Sequence, residues 1–128
     1  MPAKVADASV LAAFAFQEPN ADEAAKLLEN AELYEPRLVT FELTNVALKY
    51  TRLRHGTFGV IARQLAAVFA MEIRWVHVEP VPVLKLALET GLSAYGATYL
   101  AVCQATGAKL VTFDTQLGTV ANRLGLGG

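Results

Sequence analysis

Three acidic residues lie where the chain could bring carboxylates together. Asp7 and Asp114 each follow a hydrophobic segment, at residues 4–6 and 110–113, and Glu42 lies near the start of a helical segment between them. Ligands collect at the carboxyl ends of the strands in an open α/β sheet, so Asp7 and Asp114 could meet in one crevice. Because carboxylates held together without cations repel each other, such a meeting suggests a divalent metal ion.

Each acid also has a purely structural explanation. Asp114 could cap the last helix, Glu42 could complement a helix dipole, and Asp7 could form a turn. Spacing alone leaves these roles and a shared metal site equally open. If the acids do meet, the chemistry they could support is phosphodiester cleavage, in which two metal ions about 3.5–4 Å apart activate a water and stabilise the leaving oxygen.

The chain offers no other nucleophile with a base beside it. His55 at a predicted helix end and His77 in a predicted strand have no motif neighbour, so both are interpreted as structural or solvated. The single Cys103 excludes an internal disulfide and a cysteine zinc cluster. It fits a reducing, cytoplasmic setting and is interpreted as a small buried hydrophobe.

Strand and helix patterns alternate along the whole chain, without a repeat or a linker. The predicted strands are residues 5–6, 33–34, 73–78 and 109–113, and the predicted helices are residues 9–16, 20 to about 31, 40–54, 58–71, 80–89 and 93–106, with a short helix after Asp114. Such alternation predicts a mostly parallel sheet with helices on both faces, a three-layer α/β/α sandwich. A chain of 128 residues that is 54% hydrophobic fits a single domain over residues 1–128.

Helix ends are predicted from polar residues and glycines. Residues that could cap helix starts are Ser9, Asn20 (with Glu23 in a capping box), Thr40, Thr57 and Ser93. Glycines that could end helices are Gly56, Gly91 and Gly107, and the last three glycines predict a frayed end. A helix that begins at Thr40 would place Glu42 in its first turn, where the dipole favours an anion.

Four segments resemble motifs of one known family. They are VADAS at residues 5–9, FELTNV at 41–46, LSAYGATYLA at 92–101 and LVTFDTQL at 110–117. Each motif is weak alone, but the four occur in order over nearly the whole chain. Together they resemble the PIN-domain family, most of all the VapC-type toxins of prokaryotic toxin–antitoxin pairs.

The resemblance implies a function and a set of partners. Its expectations are an α/β/α sandwich, an endoribonuclease dependent on Mg²⁺ or Mn²⁺, a homodimer, and a small antitoxin whose tail blocks the acidic cleft. By the same resemblance Asp7, Glu42 and Asp114 correspond to the catalytic, metal-binding acids. Supporting polar positions correspond to Ser9, Asn45 and Thr112.

Position 96 departs from the family pattern, which has an aspartate there. An acid would also complete a capping box with Ser93, whereas glycine within a helix costs about 0.5–1 kcal/mol relative to alanine. Gly96 is therefore interpreted in two ways: as the natural or engineered loss of a metal ligand, or as a position that lets a substrate or partner approach the backbone. We expect weakened metal binding, for which Glu89 could substitute only if its helix end faces the cleft.

The predicted helix 40–54 carries a polar stripe that begins at Glu42 and continues through Asn45, Lys49 and Arg52. Lys49 and Arg52 could bind RNA phosphates or could simply form a solvated face. The net charge of −1 provides no global positive field, so RNA binding would need such a local patch. Surplus apolar residues on this helix and the next could serve a homodimer or an antitoxin groove.

The predicted function is thus a toxin endoribonuclease weakened by Gly96, working in the cytoplasm without a membrane segment. The longest apolar run after the first helix, residues 65–71, is far too short to cross a bilayer, and residues 10–16 are interpreted as buried helix rather than a signal peptide. The alternative is a catalytically inactive PIN-like module that binds RNA or an antitoxin. A receiver-like phosphoryl-transfer domain is disfavoured, because only one acid follows the first strand and position 9 is serine.

Overall fold

The computed structural model describes residues 1–128 and contains four strands and seven helices. The strands are β1 (Ala3–Ala6), β2 (Glu32–Glu35), β3 (Ile73–Trp75) and β4 (Lys109–Val111). The helices are α1 (Ala8–Ala15), α2 (Ala21–Leu28), α3 (Leu38–Arg52), α4 (Phe58–Phe69), α5 (Pro80–Thr90), α6 (Ala94–Thr106) and α7 (Thr115–Arg123). None of these helices is long and apolar enough to traverse a bilayer.

The four strands form one parallel sheet in the order β3-β2-β1-β4. β1 lies between β2 and the edge strand β4, pairing Lys4 with Leu33 of β2 and Val5 with Leu110 of β4. Since all strands run in the same direction, their carboxyl ends open on one edge of the sheet. The first and last strands are neighbours, so Asp7 and Asp114 follow adjacent strands although they are far apart in sequence.

Helices cover the sheet, as expected for a parallel sheet whose two faces are buried. α6 packs across β1, β2 and β4, while α1 packs on β1 and also contacts α2, α3 and α4. The fully buried side chains at the centre include Val5, Leu11, Leu43 and Leu100. The predicted α/β sandwich is confirmed, and the sheet is entirely rather than mostly parallel.

Several helix starts differ from the sequence predictions. α3 begins at Leu38 with Arg37 as its N-cap residue, so the prediction that Thr40 caps this helix is wrong. The Thr40 hydroxyl oxygen is instead buried without a hydrogen-bond partner. Glu42 consequently lies in the second turn rather than the first, beyond the strongest influence of the helix dipole.

The cap predicted for α1 is also wrong. α1 is capped by Asp7, whose side chain accepts the N–H groups of Ser9 and Val10, so Ser9 lies inside the helix. Asn20 is the N-cap residue of α2, as predicted, but its side chain makes no capping hydrogen bond. Thr57 and Ser93 do cap α4 and α6, accepting the N–H groups of residues 60 and 96.

Glycine predictions are right at two helix ends and wrong at two other places. Gly91 and Gly107 adopt the left-handed conformation after α5 and α6, with φ of 76° and 78°. After α3 it is Arg54, not Gly56, that has positive φ (57°). The C-terminal end is not frayed, because Leu110 of β4 donates to Leu126 (2.7 Å) and accepts from Gly128 (2.8 Å).

Candidate active site

The three predicted acids line a single cleft at the carboxyl edge of the sheet. Its volume is about 360 Å³, and its walls come from the starts of α1, α6 and α7 and from the side of α3. Its polar and charged lining side chains are Asp7, Ser9, Glu42, Ser93, Tyr95, Tyr99, Asp114 and Gln116. The fold therefore brings together residues from the beginning, middle and end of the chain.

Asp7 is the most buried acid of the cleft wall, with 6% of its surface exposed. Its Oδ1 accepts the Ser9 hydroxyl at 2.6 Å and the Ser9 backbone N–H at 3.1 Å, while Oδ2 accepts the Thr112 hydroxyl at 2.6 Å. Burial raises the pKa of Asp7 from its usual value, and these hydrogen bonds lower it only in part. The hydrogen bonds fix the orientation of the carboxylate, as supporting residues do around metal ligands.

Ser9 and Thr112 also connect Asp7 to the chain that follows β4. The Ser9 hydroxyl accepts the backbone N–H of Phe113 at 2.9 Å, and the Thr112 hydroxyl accepts the N–H of Asp114, also at 2.9 Å. Each hydroxyl thus donates to Asp7 and accepts from the backbone beside Asp114. Ser9 and Thr112 therefore join the Asp7 carboxylate to the backbone that leads into Asp114, and their supporting role at a metal site stays a prediction.

Glu42 is held by Tyr99, which lies in the LSAYGATYLA segment at residues 92–101 but was not a predicted site residue. The Tyr99 hydroxyl donates to Oε1 of Glu42, and Tyr99 itself is buried against the core. Burial raises the pKa of Glu42, the hydrogen bond from Tyr99 lowers it, and the negative charge of Asp7 raises it further. The pKa of Tyr99 is also raised, chiefly by burial, so the phenol stays a proton donor.

Asp114 caps α7, as one of its two predicted roles requires, and it also lines the cleft. Its Oδ1 accepts the N–H of Leu117 at 2.8 Å, so it is the N-cap of α7. The same exposed side chain lines the cleft. Asp7 and Asp114 are therefore both helix caps and members of the acid group.

Nothing within the chain requires glycine at position 96. Gly96 lines the cleft, and a Cβ atom placed there would lie 3.7 Å from Leu117 Cδ1, Leu92 Cβ and Ser93 Oγ, which is ordinary contact. An aspartate could therefore be accommodated in the wall. Glu89 does not replace it, because it is exposed on α5, pairs with Lys85 and does not line the cleft.

The remaining predicted residues lie outside the cleft wall. Asn45, Lys49 and Arg52 are exposed along α3, and none of their side chains makes a hydrogen bond or salt bridge. Their predicted roles, support of the acids for Asn45 and RNA binding for Lys49 and Arg52, stay predictions. The side chains of Lys49 and Arg52 are exposed to solvent and have no partner within the chain.

Glu35 is an acid that the sequence reasoning missed. It ends β2, has no exposed surface, and accepts the backbone N–H of Ala6 at 3.0 Å through Oε2. Its pKa is raised well above the usual range, first by burial and then by the charge of Asp7. The rule that pointed to Asp7 and Asp114, an acid at the carboxyl end of a strand, also applies to Glu35 in the segment Leu33–Pro36.

The donor set fits a hydrated hard cation better than a preformed metal cage. None of the three ion pairs of the chain involves a cleft acid, so these carboxylates have no internal cation to balance them. At the same time, no group of three His, Cys, Asp or Glu side chains is arranged to hold a metal ion. Mg²⁺ usually binds through one or two carboxylates and keeps several waters, which agrees with both observations.

Comparison with known proteins shows the family. The PIN domain family model matches residues 4–123, so the chain belongs to the PIN domain family. It is 30% identical over 118 residues to Ribonuclease VapC3 of Pyrobaculum aerophilum, covering 88% of this chain and 90% of that protein.

Two solved structures are similar in fold. The crystal structure of PAE2754 from Pyrobaculum aerophilum has a TM-score of 0.73 and 28% identity, covering 93% of this chain and 79% of that one. VapC20 of Mycobacterium tuberculosis, a toxin that cleaves the sarcin–ricin loop, has a TM-score of 0.67 and 16% identity, covering 91% and 93%. At that identity the second match supports the fold only.

Proposed function

We propose that this protein is a metal-dependent endoribonuclease and the toxin of a toxin–antitoxin pair, acting in the cytoplasm. The observation that carries the proposal is the shared cleft of Asp7, Glu42 and Asp114, which have no cationic partner within the chain. Family membership and the similarity to a VapC ribonuclease support it.

Asp7, Glu42 and Asp114 would hold Mg²⁺ or Mn²⁺, one or two of them directly and the others through bound water. When bound, the ion lowers the pKa of a water and neutralises charge on the scissile phosphate. Ser9 and Thr112 keep the Asp7 carboxylate facing the cleft, and Tyr99 holds Glu42. Hydrolysis adds water at phosphorus and breaks one P–O bond of the RNA backbone.

Substrate binding would rely on α3. Lys49 and Arg52 are exposed cations on the helix that carries Glu42, so RNA phosphates on either side of the scissile bond could contact them. Asn45 lies between the acid and these cations on the same helix, where it could contact the ribose or phosphate. RNA selectivity would then depend on local contacts, since the net charge of the chain is only −1.

Exposed apolar side chains support the proposed protein partners. α5 presents Val81, Leu84 and Leu88, which are 59–78% exposed at positions i, i+3 and i+7, and we assign this stripe to a homodimer. A second apolar area on α3 and α4, with Leu53 and Phe58, is assigned to the antitoxin. Leu84→Glu should give a monomer by light scattering, whereas Phe58→Glu should remain dimeric and lose antitoxin binding.

A second candidate is a PIN domain that binds RNA or antitoxin without cleaving. Gly96 and the lack of a three-residue metal group favour it. Calorimetry with Mn²⁺ and an RNA cleavage assay separate the two functions. Mn²⁺ binding and RNA cleavage that disappear in Asp7→Asn and after chelation support the nuclease. A wild-type protein that binds RNA, binds no Mn²⁺ and does not cleave the RNA supports the inactive module.

A further inference from the structure

Glu35 is a buried carboxyl group whose polar atoms are only half satisfied. Oε2 accepts the N–H of Ala6, but Oε1 is buried and has no hydrogen-bond partner. Such unsatisfied groups are rare in native proteins, and each one needs an explanation such as a functional role or an ion. A glutamine would accept the same hydrogen bond, so packing alone does not explain an acid at this position.

The surroundings of Glu35 connect it to the cleft. Its partner Ala6 directly precedes Asp7, and β2 is hydrogen-bonded to β1. The negative charge of Asp7 contributes to the raised pKa of Glu35, and an ionised Glu35 contributes to the raised pKa values of Tyr99 and Cys103 on α6. No ion pair neutralises Glu35.

We propose that Glu35 is a positioning residue for the cleft cation, whose negative charge compensates electrostatically for the carboxylate missing at Gly96. This inference rests on the proposed metal-dependent function. Glu35 is not a ligand itself, because it has no exposed surface. Glu35 ends β2, the strand next to β1, and Asp7 follows β1; neighbouring strands lie about 4.8 Å apart. Its charge acts on the site through the protein interior, where charge interactions are stronger than in water.

A cation in the cleft would give the acid at position 35 a function. Without a cation, burial and the charge of Asp7 raise the pKa of Glu35 and so favour its protonated form. With a divalent cation held by the cleft acids, Glu35 would favour its ionised form, release its carboxyl proton to solvent and add a negative charge near the site. Cation binding is then coupled to the release of a proton from Glu35.

The test compares Mn²⁺ binding by wild type, Glu35→Gln and the control Glu32→Gln, an acid on the same strand that pairs with Arg74. Calorimetry in two buffers of different ionisation enthalpy gives both the affinity and the number of protons released. We expect Glu35→Gln to bind about tenfold more weakly, as for other groups that support metal ligands, and to release fewer protons. Glu32→Gln should match wild type.

A structural role would give a different result. If Glu35→Gln lowers the melting temperature without metal but keeps the wild-type Mn²⁺ affinity, the inference is overturned while the metal site stands. If the wild type binds no Mn²⁺, the proposed function fails and the inference fails with it. Should Glu35→Gln not fold, Glu35→Met, which has similar length and no charge, takes its place with the same expected loss.

Compensation for Gly96 is tested by a double-mutant cycle. In a Gly96→Asp background the missing carboxylate is restored, so Glu35→Gln should weaken Mn²⁺ binding by a smaller factor than in the wild type. An equal factor in both backgrounds would show that Glu35 does not compensate for position 96.

Discussion

The Thr112 hydroxyl donates to Asp7 Oδ2 at 2.6 Å although the two residues are 105 positions apart in sequence. The same hydroxyl accepts the backbone N–H of Asp114 at 2.9 Å. One side chain therefore fixes the carboxylate that follows β1 and the backbone of the acid that follows β4. The parallel pairing of these strands makes this possible, since it places their carboxyl ends side by side.

Replacing Thr112 by valine should test this connection. The change keeps the shape but leaves Oδ2 of Asp7 without a donor and the Asp114 N–H without an acceptor. We expect a loss of about 1–3 kcal/mol in the free energy of unfolding, measured in urea, and weaker Mn²⁺ binding. Thr119→Val is the matched control, because Thr119 is exposed and bonds only to Thr115 of its own helix. Equal losses for both variants would contradict the proposed role.

The sequence predicted the architecture because its signals are local or periodic. The alternating strand and helix patterns, together with burial and the right-handed crossovers, were enough to predict a parallel sheet. The parallel sheet in turn predicted that the acids at the strand ends lie at one edge. Glycines at positions 91 and 107 were recognisable because left-handed residues after helices are usually glycine. Arg54 takes that conformation without such a signal, so the end of α3 was misplaced.

Long-range partners account for most of what the sequence did not reveal. The hydrogen bond from Tyr99 to Glu42 spans 57 positions and has no local signature. α3 begins two residues before Thr40, because the carbonyl groups of Pro36 and Arg37 already accept the backbone N–H groups of Val39 and Thr40. The rule that selected Asp7, an acid at the end of a strand, would also have selected Glu35. The complete burial of Glu35 arises from tertiary packing and has no local sequence pattern.

Removing the Tyr99 hydroxyl should affect the site more than the core. Tyr99→Phe keeps the buried ring but takes away the donor to Glu42. We expect about 1 kcal/mol lower stability and about tenfold weaker Mn²⁺ binding, because Glu42 loses its orientation. Tyr95→Phe is the control, since Tyr95 lines the same cleft and its hydroxyl makes no hydrogen bond. Unchanged Mn²⁺ affinity in Tyr99→Phe would rule out this positioning role.

Restoring an acid at position 96 should strengthen the site. Gly96→Asp fits the available space, adds a carboxylate to the cleft and places an acid in the first turn of α6. We expect Mn²⁺ affinity to rise by about tenfold or more and RNA cleavage to increase with it. Gly96→Asn adds nearly the same volume without charge and should leave both unchanged. If the two variants behave alike, space rather than charge governs position 96.

RNA binding through α3 should appear in its salt dependence. Lys49→Ala and Arg52→Ala each remove one exposed cation, so each should lower the slope of log affinity against log salt by about one unit. The measurement is fluorescence anisotropy with a labelled RNA and an Asp7→Asn background that prevents cleavage. Lys26→Ala on α2 serves as the control. A slope unchanged in all variants would place the phosphates elsewhere.

Stability without metal should fall as the pH rises above the usual carboxyl range. Burial raises the pKa values of Asp7, Glu35 and Glu42 above their ordinary 3.8 and 4.5, so between the ordinary and the raised values the folded state binds more protons than the unfolded state. The free energy of unfolding therefore decreases through that window and levels off once the acids are ionised in both states.

Glu35 should account for a large part of this decrease in the free energy of unfolding with pH. Glu35→Gln cannot ionise, so the difference in free energy of unfolding between Glu35→Gln and wild type should grow in favour of the variant as the pH rises from 4.5 through the raised pKa. Urea unfolding at several pH values measures it, with the exposed Glu89→Gln as control. Adding Mn²⁺ should reverse the trend for wild type, because a cation stabilises the ionised acids that the folded state otherwise disfavours. A difference that stays constant with pH would show that Glu35 ionises no less readily in the folded protein than in the unfolded chain.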